Sequence, residues 1–458
     1  MRQIIIHIAT AALLCGCSVY RNFDCPEIAT DSLYRDAYSP NVVTDTVSLG
    51  DLSWREMFRD PKLQQLISQG IASNVDLQSA QLRVEQAAAT LMSARLAFVP
   101  SFTLSPEGAL SRYDGSTTKT YGIPLAASWE VDIFGSLRNA KQRSKAVLAQ
   151  SKAYRQAVQT QLVATIADGY YTLLMLDRQL AISRRTAENW KESVETMRSL
   201  KEAGIANEAA VTQSEASYCS VRALIPDLEY RIRETENALC SVLGQTPQKI
   251  DRGTWRTLEL PGAIATGIPL RLLSARPDIK QAEMALASAY YTTNEARAAF
   301  YPRITISGTG SWTNNAGAVI ANPGKLLLSA VGSLVQPIFN RGLNRAKLRV
   351  AKAQQQEALL EFQQSLLNAG EEVSNACYRY TQSERKLAER REQLVALHGS
   401  VAATQELMRN GDATYLEVLT AQQSLLAAQL SESEDEFEQV AALVSLYRAL
   451  GGGREIEA

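Results

Sequence analysis

Two histidines, six cysteines and a few clustered carboxylates are the residues of this 458-residue chain whose types could do chemistry. His7 sits in an apolar leader, so a chain shorn of that leader keeps His398 alone, which gives neither His-based catalysis nor a multi-histidine metal site a foundation. Cys25, Cys219, Cys240 and Cys377 are scattered, with no CxxC pair and no metal-ligand spacing. Cys219 and Cys240 share one apparent helix and stand roughly 30 Å apart along it, too far for a direct disulfide. Asp278 and Glu283, beside Arg276-Pro277, are the residues that general acid–base chemistry would choose. A proline at a helix start with an aspartate in its first turn is better explained by dipole complementarity. Gly451-Gly452-Gly453 lacks the Lys-Ser/Thr of a phosphate loop and reads as a helix stop. The acidic run Glu432, Glu434, Asp435, Glu436 and Glu438 reads as a solvated helix face. The residues therefore predict no enzyme, no metal and no cofactor.

The remaining chemistry is at the start of the chain. Arg2, the apolar run from Ile4 to Leu14 and the small residue Gly16 make a secretory signal too short to span a bilayer. Leu14-Cys15-Gly16-Cys17 resembles a bacterial lipobox, which implies cleavage before Cys17 and acylation of its thiol and amine; ordinary secretory cleavage nearby is the alternative. Ser18, by the same resemblance, favours release to the outer membrane.

The elements that would position such a protein are long. With 47 basic and 48 acidic residues the net charge is −1, which argues against nucleic acid as a partner. After residue 17 no stretch is apolar for 18 residues, so no transmembrane helix is expected, although a barrel would escape that test. No proline lies between Pro124 and Pro226 or after Pro337, which predicts very long helices. Heptads run through Ile166, Leu173, Leu180, Ala187 and Val194, and again through Leu359, Leu366, Val373, Tyr380, Leu387 and Leu394. A sustained seven-residue repeat predicts left-handed coiled coils, here two hairpins turning at Gly204 and Gly411. The halves match: Ala94–Pro100 parallels Ala296–Pro302 at an offset of 202, Ile133-Phe134 parallels Ile338-Phe339 at 205, and Gly204 parallels Gly411 at 207. That pattern predicts a tandem duplication.

Strict alternation over Tyr121–Ile133 and over Arg303–Trp312 predicts strands, with partners in Phe102–Leu110 and Leu326–Phe339. Their length suits a tilted membrane barrel as well as a small surface sheet. Four strands cannot close a barrel in lipid, where open edges are prohibitive; three copies would give twelve strands.

At this point the residues resemble a family. Leu272-Leu273-Ser274-Ala275-Arg276-Pro277-Asp278-Ile279, Glu295–Pro302, Ile225-Pro226-Asp227-Leu228-Glu229 and Thr414–Gln422 together resemble the outer-membrane efflux lipoproteins of the TolC/OprM/NodT type. The likeness runs in order from Leu52 to Gly451. It implies a mainly α protein with membrane β: a homotrimer closing a 12-stranded outer-membrane β-barrel on a long coiled-coil periplasmic tunnel. Its partners would be a periplasmic membrane-fusion adaptor, an inner-membrane resistance-nodulation-division pump and outer-membrane lipid, and its cargo drugs or other toxic small molecules. Conduits for type I protein secretion or metal-ion efflux are the alternatives. The resemblance also assigns roles. Gly204, Ile205, Ala206, Gly411, Asp412 and Ala413 form adaptor-contacting tips, and Leu416 and Glu417 a periplasmic gate. Thr420 stands where the family has a second acidic residue, which leaves that carboxylate ring in question. A glycine between two helices would equally serve as a plain terminator.

The expected organisation is a lipoprotein signal peptide over 1–16, a lipidated tether over 17–50, and two structural repeats. The first spans 51–250 with strands at 101–112 and 120–133; the second spans 251–458 with strands at 303–313 and 326–339.

Overall fold

The computed structural model describes residues 20–26, 50, 52–255, 276–313 and 325–453. The chain is mainly helical with a few antiparallel strands, and divides into two compact units. The first unit takes in residues 1–28, 81–153 and 280–365; the second takes in 29–80, 154–279 and 366–458.

The element order is α1 (Trp54–Met57), α2 (Pro61–Ser73), α3 (Val75–Leu96), β1 (Ser101–Leu104), β2 (Glu107–Tyr113), β3 (Ser116–Val131), α4 (Ser136–Glu202) and α5 (Glu208–Val242). After these come α6 (Pro277–Ala298), β4 (Arg303–Thr313), β5 (Lys325–Val335), α7 (Leu343–Asn410) and α8 (Tyr415–Ala449). Helices α3, α4 and α5 have 22, 67 and 35 residues, and α6, α7 and α8 have 22, 68 and 35. At 1.5 Å per residue, α4 and α7 each rise ~100 Å.

The first unit holds one antiparallel sheet of order β1-β3-β4-β5, with β2 also on β3. The strand expected over 101–112 is thus two pieces, β1 and β2, because Pro106 has no N–H to donate and faces the Pro124 region of β3. The register is nonetheless unchanged across the gap, from Leu104↔Leu125 to Glu107↔Gly122, and the sheet is four strands wide. β3 starts at Ser116, earlier than the expected 120, since Ser116–Lys119 carries no apolar alternation and is held by pairing to β2. It stops at Val131, before the expected 133, where the Ile133 N–H turns back to the Val131 carbonyl at 3.0 Å. β5 ends at Val335 rather than 339; Pro337 follows, and the Gln336 side chain donates to the Phe300 carbonyl at 2.9 Å. Asp114 (φ 45°) and Gly115 (φ 76°) join β2 to β3 in the two-residue turn whose backbone twist matches an antiparallel hairpin.

Register sorts the side chains. Paired residues lie on one face, so Leu104, Leu125, Ile123, Trp312, Leu326 and Leu328 share a face with Trp129, Ile306 and Leu334. Ser128, Glu130, Thr305, Ser307, Ser311 and Ser333 lie on the other. The apolar face is uncovered: Phe102, Leu125, Trp312 and Leu328 are 49–75% exposed. β1/β2 and β5 each have only one neighbour in the sheet.

The same unit holds the start of the described chain. Phe23 packs on Tyr290 of α6 with ring centroids 5.7 Å apart, its N–H donates to the Tyr291 hydroxyl, and the Tyr290 hydroxyl donates to the Arg21 carbonyl. Phe134 and Tyr301, at the strand–helix junctions, stack at 4.9 Å. Arg143 of α4 donates to Glu295 of α6 at 2.7 Å.

The second unit is a helical core. Trp54, Phe58 and Ile67 of the first helices meet Ile166, Tyr170 and Leu173 of α4, Leu239 and Leu243 of α5, and Val440, Val444 and Tyr447 of α8. Gly169 interrupts the heptads because a Cβ there would lie 2.8 Å from Leu239. The seam positions Ile166, Leu173, Trp190 and Met197, and Phe362, Leu366, Val373 and Leu387, are buried. Helix α6 begins at Arg276-Pro277-Asp278, where Arg276 makes a bidentate pair with Asp278, reaches Glu372 of α7 and donates to the Ala449 carbonyl of α8. Burial alone would raise the Asp278 pKa, but the guanidinium and two backbone N–H groups hold it below the usual value.

Candidate functional site

The two hairpin tips are built alike. At the end of α4 the N–H of Gly204 donates to the Lys201 carbonyl and that of Ile205 to the Leu200 carbonyl. At the end of α7 the N–H of Gly411 donates to Met408 and that of Asp412 to Leu407. This is the six-to-one closure that satisfies the last carbonyls of a helix and requires φ > 0 at its glycine. Gly204 has φ +77° and Gly411 +83°. Asn207 then caps α5 through the Ala210 N–H at 2.9 Å. Ile205 at the first tip is 75% exposed, Asp412 at the second is exposed, and Ala206 and Ala413 are half-buried. Arg198–Glu215 and Lys201–Glu208 pairs tie the arms of the first tip.

Helix α8 starts beyond the second tip with Thr414 at its N-cap, and the Thr414 N–H donates to the Glu417 carboxylate at 3.0 Å. Glu417 is exposed, and this bond is the carboxylate half of a capping box. Leu416 is 61% exposed, and Thr420 one turn later is exposed on the same side, its hydroxyl donating to the Leu416 carbonyl at 2.8 Å. Val418 and Leu419 face inward, where Leu419 and Leu426 pack with Trp190 of α4 and Val221 of α5. Gln423 donates to Ser217 of α5 at 3.0 Å, joining α8 to the first hairpin. Leu416, Glu417 and Thr420 thus lie together in the first turns of α8, while Cys17 lies outside the described residues.

The acidic run of α8 differs from the solvated face expected. Arg178 of α4 holds Glu432 and Glu436, Gln179 donates to Glu434, and Lys386 and Arg390 of α7 converge on Asp435. Asp435 is 2% exposed, so the run is a band of cross-helix ion pairs. The carboxylates hold the Lys386 pKa above its ordinary value. The signal was present as bases at Arg178, Lys386 and Arg390, but only the packing of α4 and α7 on α8 pairs them. Asp168 of α4 was not singled out either. Burial pushes its pKa up to about 6, against the pull of Arg448 and Arg379, and its Oδ1 is buried without a hydrogen bond.

A sheet apolar on one side and polar on the other, carried by helices that end in glycine-capped hairpins, defines a membrane-type channel protein. The chain belongs to the outer membrane efflux protein family, whose model matches residues 66–245 and 268–452. It is 27% identical to the cation efflux system protein CusC of Escherichia coli O6:H1, over 98% of each chain. It is 29% identical to the toluene efflux pump outer membrane protein TtgC of Pseudomonas putida, over 97% of this chain and 94% of that one. It is also 30% identical to the pyoverdine export outer membrane protein OpmQ of Pseudomonas putida, over 89% of each. Among solved structures, the outer-membrane channel OprN superposes with a TM-score of 0.85 at 28% identity, covering 96% of this chain and 100% of that one. CusC superposes with the same score at 26% identity, covering 95% and 100%.

Proposed function

We propose that this chain is the outer-membrane channel of a tripartite efflux pump, conducting toxic small molecules passively from a periplasmic adaptor and inner-membrane pump to the exterior. The observation that carries this reading is the two-faced sheet with two unpaired edges. From Val131 to Tyr121 the apolar face runs ten residues, ~34 Å of strand, which at a tilt of ~40° is ~26 Å of height. That matches the apolar band of an outer-membrane barrel. An open edge in hydrocarbon leaves backbone groups without partners, so the edge at β5 pairs with β1/β2 of a second copy. Three copies close twelve strands, with the polar face toward the lumen.

The repeated helix lengths and the sequence offsets support a tandem duplication with repeats at 51–250 and 251–458, behind a signal peptide at 1–16 and a tether at 17–50. Tyr20–Phe23 docks near the strand–helix junctions, within reach of a membrane-inserted lipid on Cys17. The exposed tips at Gly204–Ala206 and Gly411–Ala413 meet the adaptor. Leu416, Glu417 and Thr420 line the periplasmic gate, where three copies of Glu417 about a threefold axis attract cations. The relatives carry cations, toluene and pyoverdine in their names, so the channel role is shared while the cargo varies. The pump partner is of the resistance-nodulation-division class, and the channel itself does no chemistry.

The test is the native mass of the detergent-extracted protein, followed by export assays in a deletion strain. A trimer of acylated protomers beginning at Cys17, and loss of resistance to at least one toxic compound on deletion, are expected. A detergent-free monomer, or unchanged export of every compound tested, overturns the reading.

A further inference from the structure

The β2–β3 hairpin outruns its neighbour. β4 ends at Thr313, opposite Gly122, while β3 continues back to Ser116 paired only with β2. In that overhang Leu110 is opposite Lys119, and Arg112 is opposite Thr117. Parity places Arg112 and Lys119 on the same face as Leu104, Leu125 and Trp312. The polar face at these rows carries Ala109, Ser111, Thr118 and Thr120, without charge. Asp114 sits in the turn beyond, and Glu107 on the polar face below. Both bases of the hairpin are therefore turned to the side that the barrel presents to lipid.

Their height is informative. Lys119 lies four residues beyond Ile123, the partner of Trp312, so it stands ~13 Å further along the strand and ~10 Å higher at a barrel's tilt. The polar headgroup layer begins where the aromatic row ends. Arg112 and Lys119 are diagonal neighbours, ~7–8 Å apart at the backbone, a separation at which like charges repel unless an anion lies between them. Arginine and lysine side chains at that distance converge on one phosphate, the arginine through its planar fork and the lysine as a point charge.

We propose that Arg112 and Lys119 form an outward-facing clamp for the phosphate of an acylated glycolipid in the outer leaflet, one clamp per protomer. The inference rests on the barrel reading above. A free phosphate ion shares the chemistry, but the clamp adjoins an apolar face and an aromatic row that only an acylated phosphate would cover.

The experiment measures lipid retention on the full-length, detergent-extracted protein by native mass spectrometry, with bisphosphoryl lipid A, monophosphoryl lipid A and inorganic phosphate as probes. The same preparations are tested for conductance in planar bilayers. Expected are tighter binding of the bisphosphoryl probe and a roughly fivefold loss for Arg112→Gln or Lys119→Gln, about 25-fold for both. The charge-retaining Arg112→Lys/Lys119→Arg double variant should retain most of the binding, and Glu107→Gln on the opposite face should leave it unchanged. Unaltered lipid A binding in the double glutamine variant overturns the clamp, as does full displacement of lipid A by millimolar inorganic phosphate. Conductance that persists while lipid binding fails sinks the clamp alone. A wild-type protein that never conducts sinks the channel reading instead.

Discussion

Arg390 Nε donates to Oδ2 of Asp435 at 2.8 Å, joining α7 to α8 at a carboxylate that is 2% exposed, and Lys386 reaches the other oxygen at 2.7 Å. The two bases are less buried than the acid they hold, so the costs of breaking the cluster are unequal. Asp435→Asn frees cations that can turn to water, a loss of about 1.5–3 kcal/mol. Lys386→Met/Arg390→Met strands a buried charge, a loss of about 3–5 kcal/mol. Denaturant unfolding of the detergent-extracted protein should rank the double variant below the single one.

Glu417 has two duties that one pair of substitutions separates. Glutamine keeps an acceptor for the Thr414 N–H, so Glu417→Gln should weaken cation selectivity in planar bilayers without a shift in melting temperature. Glu417→Ala should lose both, with about 1 kcal/mol of stability gone with the cap. Equal ion selectivity in wild type and Glu417→Gln would remove Glu417 from the gate.

Leu416 and Thr420 share an exposed side of α8. Leu416→Ala should raise single-channel conductance by widening an apolar constriction. Thr420→Asp, which adds a carboxylate per protomer, should increase block by divalent cations. Unchanged conductance and block in both would place the constriction elsewhere.

Ile205 projects from the first tip at 75% exposure. Ile205→Asp should weaken adaptor binding at least fivefold, a loss of ~1 kcal/mol, with little effect on folding. Titration of the purified channel with its adaptor measures it.

Asp168 gives a pH dependence with a definite sign. Its native pKa of about 6 exceeds the model value of 3.8, so between those values the folded chain binds more protons than the unfolded one. Its contribution to stability is greatest below pH 4 and is lost as pH rises through 6. Asp168→Asn should therefore stabilise the protein by ~2–3 kcal/mol at pH 7.5 and hardly at all at pH 4. Denaturation midpoints at the two pH values check the difference.

Long helices and strands were legible because each declares itself by period: sevens through Leu366 and Val373, twos through Ile304 and Ile306. Gly204 and Gly411 were legible because a helix that must close with φ > 0 favours glycine. The split at Pro106 was not, since a missing donor matters only once Pro124 is known to lie nearby on the facing strand. Nor was the pairing of the acidic run. Glu432 through Glu438 look solvated until α4 and α7 bring Arg178, Lys386 and Arg390 to them. The start of β3 at Ser116–Lys119 carries no alternation, because in an overhang neither face has a core to match.

That overhang has a practical consequence. A ribbon rising past the rim, closed by Asp114-Gly115 and paired on one side only, is a surface that an intact cell offers to antibodies and to phage. A short epitope spliced into the turn should be displayed to the medium while the strands below keep their register, which would make this protein a handle for labelling living cells.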